Sequence, residues 1–305
     1  MADKVLRFGG YQGPQSVHTR ALRVIERELA GTPGLKVEIV ENVTAAGRKA
    51  GELAGMVESG ELALAYIAAS YLVGRVPEVA LLDLPFTFTD RAKIWPSLDA
   101  GFGPKLAELF AAQGKLRLVG LWDNGFRHLT SGVRMVRTPE DAAGQRIRTM
   151  PTDVAKKLFA AMGFTPVPLD VAEFPGAMAA GRLDAQENPL TNSWGFNVYK
   201  YQKYFTQSAH LFGATAVFTS ADLLADLTAE QRRRFEAAIA VATTAQRGFA
   251  AAEDAALRDR LIAEGVQFHE LTAAERARFA ATTAPIGDEI KASFPPAMVA
   301  LLPAP

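Results

Sequence analysis

Leu62-Ala63-Leu64-Ala65-Tyr66-Ile67 is an unbroken apolar run of strand length, and such a run needs cover on both of its faces. The residues before it supply that cover. Val5-Leu6-Arg7-Phe8 predicts a strand ending at Gly9-Gly10, and His18 to Ala30 carries apolar residues at 21, 22, 24, 25 and 29, a helical stripe. Leu35 to Val40 alternates, with Leu35, Val37 and Ile39 on one face and Lys36 and Glu38 on the other. Gly47 to Ser59 predicts a second helix, closed near Gly60. Strand, helix, strand, helix, strand is the grammar of an α/β unit with a mostly parallel sheet. Ligands of such sheets bind outside the carboxyl ends of the strands, here Gly9 to Gln12 and Ala68 to Tyr71.

The grammar then repeats. Gly103 to Gln113 predicts a helix and Leu116 to Trp122 a strand, and a second unit begins near Asp123. It holds strands over Phe126 to Thr130, Gln145 to Arg148 and Thr165 to Pro168, with helices over Asp153 to Ala161 and Phe174 to Ala180. Thr138-Pro139-Glu140-Asp141 is a helix start, with Thr as cap and Pro at the first helical position. Leu183-Asp184-Ala185-Gln186 leads into another short strand. Two similar lobes are expected, in keeping with 305 residues at roughly 150 per domain. The last third is helical: Thr228-Ala229-Glu230-Gln231 fits a capping box, and no proline interrupts the chain from there to Glu264. A helix of that length runs to about 54 Å, longer than one lobe, so it is expected to run across both. Thr272-Ala273-Ala274-Glu275 repeats the box and starts a last helix.

Composition excludes several functions. Lys plus Arg equals Asp plus Glu at 33 each, whereas a nucleic-acid coat carries a basic excess. The absence of cysteine removes thiolate catalysis, disulfides and sulfur-ligated zinc. The longest apolar run, Leu62 to Val73, falls well short of the ~20 residues that span a bilayer. The start Met1-Ala2-Asp3-Lys4 enters a strand at once and reads as a cytosolic or an already mature terminus. No Gly-x-Ser-x-Gly elbow or phosphate loop occurs, and Gly101-Phe102-Gly103 has Leu106 where a dinucleotide fingerprint needs a third glycine. His18, His128, His210 and His269 lack metal spacing. No cofactor or metal is implied.

One stretch departs from the even charge. Lys115 to Arg148 holds seven basic residues against Asp123, Glu140 and Asp141. Scattered, solvated arginines would contribute little. Arg127 and Arg148, however, lie in predicted strands beside apolar neighbours, and Arg146 shares a face with Arg148 if Ile147 is buried. An arginine on a rigid strand suits a planar, bidentate contact with a carboxylate. Asp184 to Pro189 taken alone is a polar turn, and Trp194, Phe196, Tyr199, Tyr201, Tyr204 and Phe205 form an aromatic-rich stretch expected to serve mainly packing.

These residues resemble the solute-binding proteins of TRAP transporters. The run Thr138-Pro139-Glu140-Asp141-Ala142-Ala143-Gly144-Gln145-Arg146-Ile147-Arg148 is similar to their signature, and the similarity continues in order through Leu158 to Gly163, Val167-Pro168-Leu169, Glu173, Gly181 to Pro189 and Tyr199 to His210. Upstream, Leu82 to Phe86 and Asn124 to Thr130 also match. The resemblance implies an α/β periplasmic binding protein fold: two mixed sheets flanked by helices, a hinge between lobes and a long C-terminal helix bracing both. Lobe one would comprise residues 1–123 with about 214–230, and lobe two residues 124–213. Residues from about 228 to 305 would form the bracing helix and C-terminal helices, packed mainly on lobe one. It implies a periplasmic, monomeric, non-enzymatic protein that does not span the membrane, binds no nucleic acid, and delivers an organic acid to the membrane permease subunits of a TRAP transporter. A ligand sensor for a membrane receptor and an enzyme acting on an organic anion are the other classes considered.

Matched position by position, Arg148 is the carboxylate clamp, Arg127 a second ligand arginine and Asn188 an orienting amide. Tyr11, Ala68, Ser70, Tyr71, Trp122 and Trp194 are expected to border the cleft. The chain departs from the family at Pro151, Val171, Pro175 and Ala68-Ala69, where polar, bulky or acidic groups are usual. Small residues beside aromatics favour an apolar or aromatic body behind a single carboxylate.

Overall fold

In the computed structural model, which describes residues 3–303, β1 (Lys4–Gly9) pairs in parallel with β2 (Leu35–Val40) on one side and with β3 (Leu64–Ala68) on the other. The crossover is the helix Val17–Leu29, capped by Ser16, whose Oγ accepts from the Thr19 N–H. It buries Ala21, Leu22, Val24, Ile25 and Leu29, the stripe visible in the sequence. β3 is buried at every position, as its unbroken apolar run requires.

Six further strands complete the sheet: β4 (Leu116–Ser131), β5 (Arg146–Thr149), β6 (Thr165–Pro168), β7 (Ala185–Asn188), β8 (Tyr204–Ser220) and β9 (Gln267–Glu270). Their order is β2-β1-β3-β8-β4-β7-β5-β6, with β9 paired to β8. The two expected sheets therefore meet in β4 and β8, which run antiparallel through both, and the ladder is continuous over nine strands. The sequence reading ended a strand at Trp122 and began another at Phe126. Instead the strand continues through Asp123, Asn124 and Gly125, and the irregularity is absorbed as register shifts between Leu118 and Gly120, Asp123 and Gly125, and Arg127 and Leu129. Gly125 makes this possible, because its φ of +101° is open to glycine and costly for other residues.

Separate cores flank the ladder. Phe8, Ile25, Tyr66, Trp122, Phe218 and Phe235 belong to the first. Leu129, Ile147, Leu158, Phe159, Leu211 and Phe279 form a second, and Phe174, Leu190, Phe205, Leu257 and Leu261 lie in a third. The helix Ala229–Ala263, held by the Thr228/Gln231 capping box, gives Phe235 and Ile239 to the first core and Leu257 and Leu261 to the third. It thus joins both halves along one rigid rod. The last long helix, Ala273–Ala292, also touches two cores: Phe279 is buried in the second and Ile290 in the first. Trp122, expected to border the cleft, is instead fully buried, and its Nε1 donates to Thr243 Oγ1 at 3.0 Å. Among the described residues, no helix is long and apolar enough to cross a membrane.

Gly163 shows how tightly the second half is turned. It closes the helix Asp153–Ala161 at φ +95°, and a Cβ there would lie 2.3 Å from the Pro139 carbonyl oxygen. Gly144, at φ +79°, faces open space. Gly163→Ala is expected to cost about 1–3 kcal/mol from strain alone, plus the clash, and Gly144→Ala distinctly less. Thermal unfolding of the two variants side by side checks the order.

Candidate functional site

The carboxyl ends of the strands converge on one small chamber. Tyr11 follows β1, Ala68 ends β3, and Tyr71 sits in the turn Ala69–Leu72 just beyond it. Arg127 comes from β4, Arg148 from β5 and Asn188 from β7. With Met150, Val171, Asn192 and Phe196 they line a cavity of about 10 Å³, room for about one water.

Arg148 is the distinctive residue. Ile147 on the opposite face of β5 is fully buried, and Arg146 remains exposed in an ion pair with Asp184 at 2.8 Å. Arg148 itself is 2% exposed. Its Nε and Nη2 donate to the Leu169 carbonyl at 3.0 and 2.7 Å, Nη2 lies 3.4 Å from the Tyr71 hydroxyl, and the guanidinium sits 5.5 Å from the centre of the Phe174 ring. Among the described residues no carboxylate pairs with it. Burying a cation without a counter-ion is expensive, so neutral partners hold this one in place and its charge stays available.

Arg127 is different. It lines the chamber, but its fork is taken by Glu187: Nε to Oε2 at 2.5 Å and Nη2 to Oε1 at 2.7 Å, with a further bond to the Glu187 carbonyl. Burial pushes the Glu187 carboxyl up, but the charge of Arg127, with His210 behind it, outweighs that and holds it at about 2. His210 Nε2 stands 3.4 Å from Glu187 Oε2, and burial lowers its own pKa. Arg127 and Glu187 therefore cancel, and Arg148 carries the net charge of the chamber.

Amides join the site to the first half of the molecule. Asn188 Oδ1 accepts from Arg127 Nη2 at 3.3 Å and from Asn192 Nδ2 at 3.2 Å, while its Nδ2 donates to Gln186 Oε1 at 2.6 Å. Gln186 Nε2 donates to Thr130 Oγ1, which donates to Gln202 Oε1. In the other direction, Asn192 Oδ1 accepts from Gln12 Nε2 at 3.0 Å. Gln12 Oε1 faces His18 Nδ1 at 2.8 Å, and His18 Nε2 faces the Thr215 hydroxyl at 3.0 Å. Burial drives His18 down to about 3, so the ring is neutral: Nδ1–H donates to Gln12, and Nε2 accepts from Thr215.

A second set of bonds crosses from residues 49–51 and Tyr71 to residues 170–173. The Asp170 carboxylate accepts from the Ala50 and Gly51 N–H groups, both at 3.2 Å. Tyr71 Oη accepts from the Val171 N–H at 3.1 Å, and Lys49 lies 3.6 Å from Glu173.

Of the residues singled out in the sequence, Arg148, Arg127, Asn188, Tyr11, Tyr71 and Ala68 are brought together here. Ser70 and Trp194 are not. Ser70 Oγ turns away to donate to Asp83 Oδ1 at 2.9 Å, where burial pushes the carboxyl up to about 6. Trp194 stacks on Tyr199 with ring centres 4.9 Å apart and lines a separate, larger cleft. Sequence reasoning missed Met150, Asn192 and Glu187 as site residues and reached Gln12 only as the end of the strand-terminal stretch Gly9 to Gln12. Asn192 meets Asn188 across a strand-to-helix junction that residue spacing alone does not mark.

Two outcomes are expected. Glu187→Gln leaves Arg127 buried without its counter-ion and lowers stability at neutral pH by on the order of 3 kcal/mol. Because the folded-state pKa is depressed from 4.5 to about 2, that contribution is complete above 4.5 and lost as pH falls toward 2. Denaturant melts of wild type and variant should therefore converge across that window. Asp170→Ala removes the acceptor for two amides, so hydrogen exchange at Ala50 and Gly51 should accelerate while core amides keep their protection.

Comparisons with known proteins identify the family. The DctP family, described as bacterial extracellular solute-binding protein, family 7, matches residues 26–293. An uncharacterized protein of Haemophilus influenzae is 29% identical over 69% of this chain, and the chain spans 64% of that relative's length. The 2,3-diketo-L-gulonate-binding periplasmic protein YiaO of Escherichia coli is 27% identical over 88% of this chain and 81% of its own. A TRAP periplasmic solute-binding protein of Bordetella, solved with density attributed to pantoate, superimposes with a TM-score of 0.90 over 98% of both chains at 26% identity. The family is one of binding proteins rather than enzymes. The resemblance read from the sequence motifs holds: the chain belongs to the DctP family of TRAP periplasmic solute-binding proteins.

Proposed function

We propose that this chain captures an organic acid by its carboxylate at Arg148 and delivers it to the membrane permease of a TRAP-type secondary transporter. The observation that carries the proposal is a buried guanidinium held, among the described residues, by a carbonyl, a hydroxyl and an aromatic ring. A ligand carboxylate supplies the missing counter-charge, and its second oxygen gains from the planar fork. Arg127, neutralised by Glu187, fixes the Asn188 amide that orients the acid.

The two lobes proposed from the sequence, residues 1–123 with about 214–230 and residues 124–213, meet where β4 and β8 shift register, opposite Gly125 and Gly213. Closing one lobe on the other excludes water from the acid and lowers the local dielectric, which strengthens the ion pair. The Asp170 and Tyr71 bonds favour the closed arrangement. Closure also distinguishes loaded from empty protein for the permease. Ala68, Met150, Val171, Phe196 and the two tyrosines surround the carboxylate position with largely apolar surface, which supports an apolar or aromatic body. The relatives' names concern acids as well: diketogulonate for the Escherichia coli protein and C4-dicarboxylates for one of Rhodobacter capsulatus.

Mass spectrometry of ligand released by denaturing the purified protein identifies the acid, and calorimetry then measures it against variants. A micromolar ligand corresponds to about −8 kcal/mol, and losing one partner of a buried charge pair costs on the order of 2–5 kcal/mol. Arg148→Ala should weaken binding at least tenfold while the protein still melts cooperatively. Arg148→Lys should also bind worse, lacking the fork. Unchanged affinity in Arg148→Ala overturns the assignment.

A further inference from the structure

Beside the small chamber lies a cleft of about 790 Å³, bounded by residues 12–17, the helix Leu190–Gly195 and one face of the long helix Ala229–Ala263. Asn192 and Phe196 line both spaces, and Gln12, on the cleft side, donates to Asn192. The two are thus neighbours across a partition of three side chains. Their sizes differ sharply: the chamber has room for about one water, whereas the cleft falls in the range of sites that enclose a small molecule.

The chemistry of the cleft is also distinct. Val17, Trp194, Phe196 and Phe249 give it apolar and aromatic walls, and its charged residues are Arg20, Glu253 and Arg260. Arg20 lies 4.2 Å over Phe249 and pairs with Glu253 at 3.2 Å. Arg260 lies 4.1 Å over Trp194 and has no ion-pair partner among the described residues. Thr191, on the same wall, has its Oγ1 buried with no hydrogen-bond partner among the described residues. The helix Val17–Leu29 opens onto the cleft with no acidic residue in its first turn, which adds to the positive potential. Two cations face the single carboxylate of Glu253, which pairs with Arg20 and also feels Arg260, so the cleft keeps one net positive charge, with Arg260 set on an aromatic face.

We infer that this cleft is a second subsite for the far end of the same ligand. The acid it fits has a carboxylate at Arg148, an apolar body passing between Asn192 and Phe196, and a second anionic group beside Arg260 and Trp194. An elongated dicarboxylate meets all three requirements; a short acid reaches only the chamber. The inference rests on the reading of Arg148 as the carboxylate clamp.

Calorimetric titration with succinate, octanoate, suberate and sebacate separates the two. Suberate or sebacate should bind at least tenfold more tightly than octanoate and succinate. Arg260→Gln, an exposed substitution that should melt as wild type, should remove that advantage and leave octanoate affinity unchanged. Arg148→Ala should weaken every acid. If the long diacids gain nothing over octanoate, or keep their gain in Arg260→Gln, the second subsite is overturned while the clamp stands. If no acid binds, or Arg148→Ala changes nothing, the clamp itself fails and the subsite with it.

Discussion

The ladder between β4 and β8 is the constraint on which the rest of the molecule depends. Sixteen and seventeen residues long, these strands must serve one core at one end and another at the other, with a polar site between. A strand alternates faces residue by residue, so a one-residue shift in pairing exchanges its inward and outward sets. The shifts at Asp123/Gly125 and Arg127/Leu129 use this property. Along β4 they allow Trp122 to fill the first core, Arg127 to reach the chamber and Leu129 to fill the second core.

Charge is managed within that frame by pairing one arginine and leaving another unpaired. Two buried guanidiniums close together repel, and removing that repulsion requires an anion from the protein or from a ligand. Glu187 supplies it for Arg127. For Arg148 the protein offers a carbonyl and a ring instead. The contrast with Arg146, two residues away on the same strand, makes the point. At the exposed end of β5, Arg146 pairs with Asp184 in solvent, where an ion pair contributes little. Burial separates the two roles.

Much of the architecture was legible because periodicity is local. The stripe of Val17–Leu29, the apolar run of β3 and the proline-free stretch behind Ala229–Ala263 each follow from a window of the sequence. The continuity of β4 was not legible, since Asn124-Gly125 is a strong turn signal and only its pairing with β8 turns it into a bulge. At the site, Arg127 and Arg148 stood out as charges in predicted strands, beside the apolar Phe126 and Ile147. Ser70 shows the limit of such reasoning, since position near a strand end does not say which way a side chain turns; Trp194 was chosen as an aromatic residue, and the helix Leu190–Gly195 carries it to the neighbouring cleft. The partner of Gln12 lies 180 residues away, and no local pattern records it.

The amides that link Asn188 to both halves have a further consequence. Each amide has one hydrogen-rich end and one oxygen end, so a row of them joined head to tail has a single direction. From the Thr215 hydroxyl through His18, Gln12, Asn192, Asn188, Gln186 and Thr130 to Gln202, every member between the two ends gives forward and receives from behind. No one member turns over alone without setting like against like at both of its neighbours. The orientation of the Asn188 amide is therefore settled jointly by residues in both halves of the chain, and the proposed acid would have to conform to the whole row.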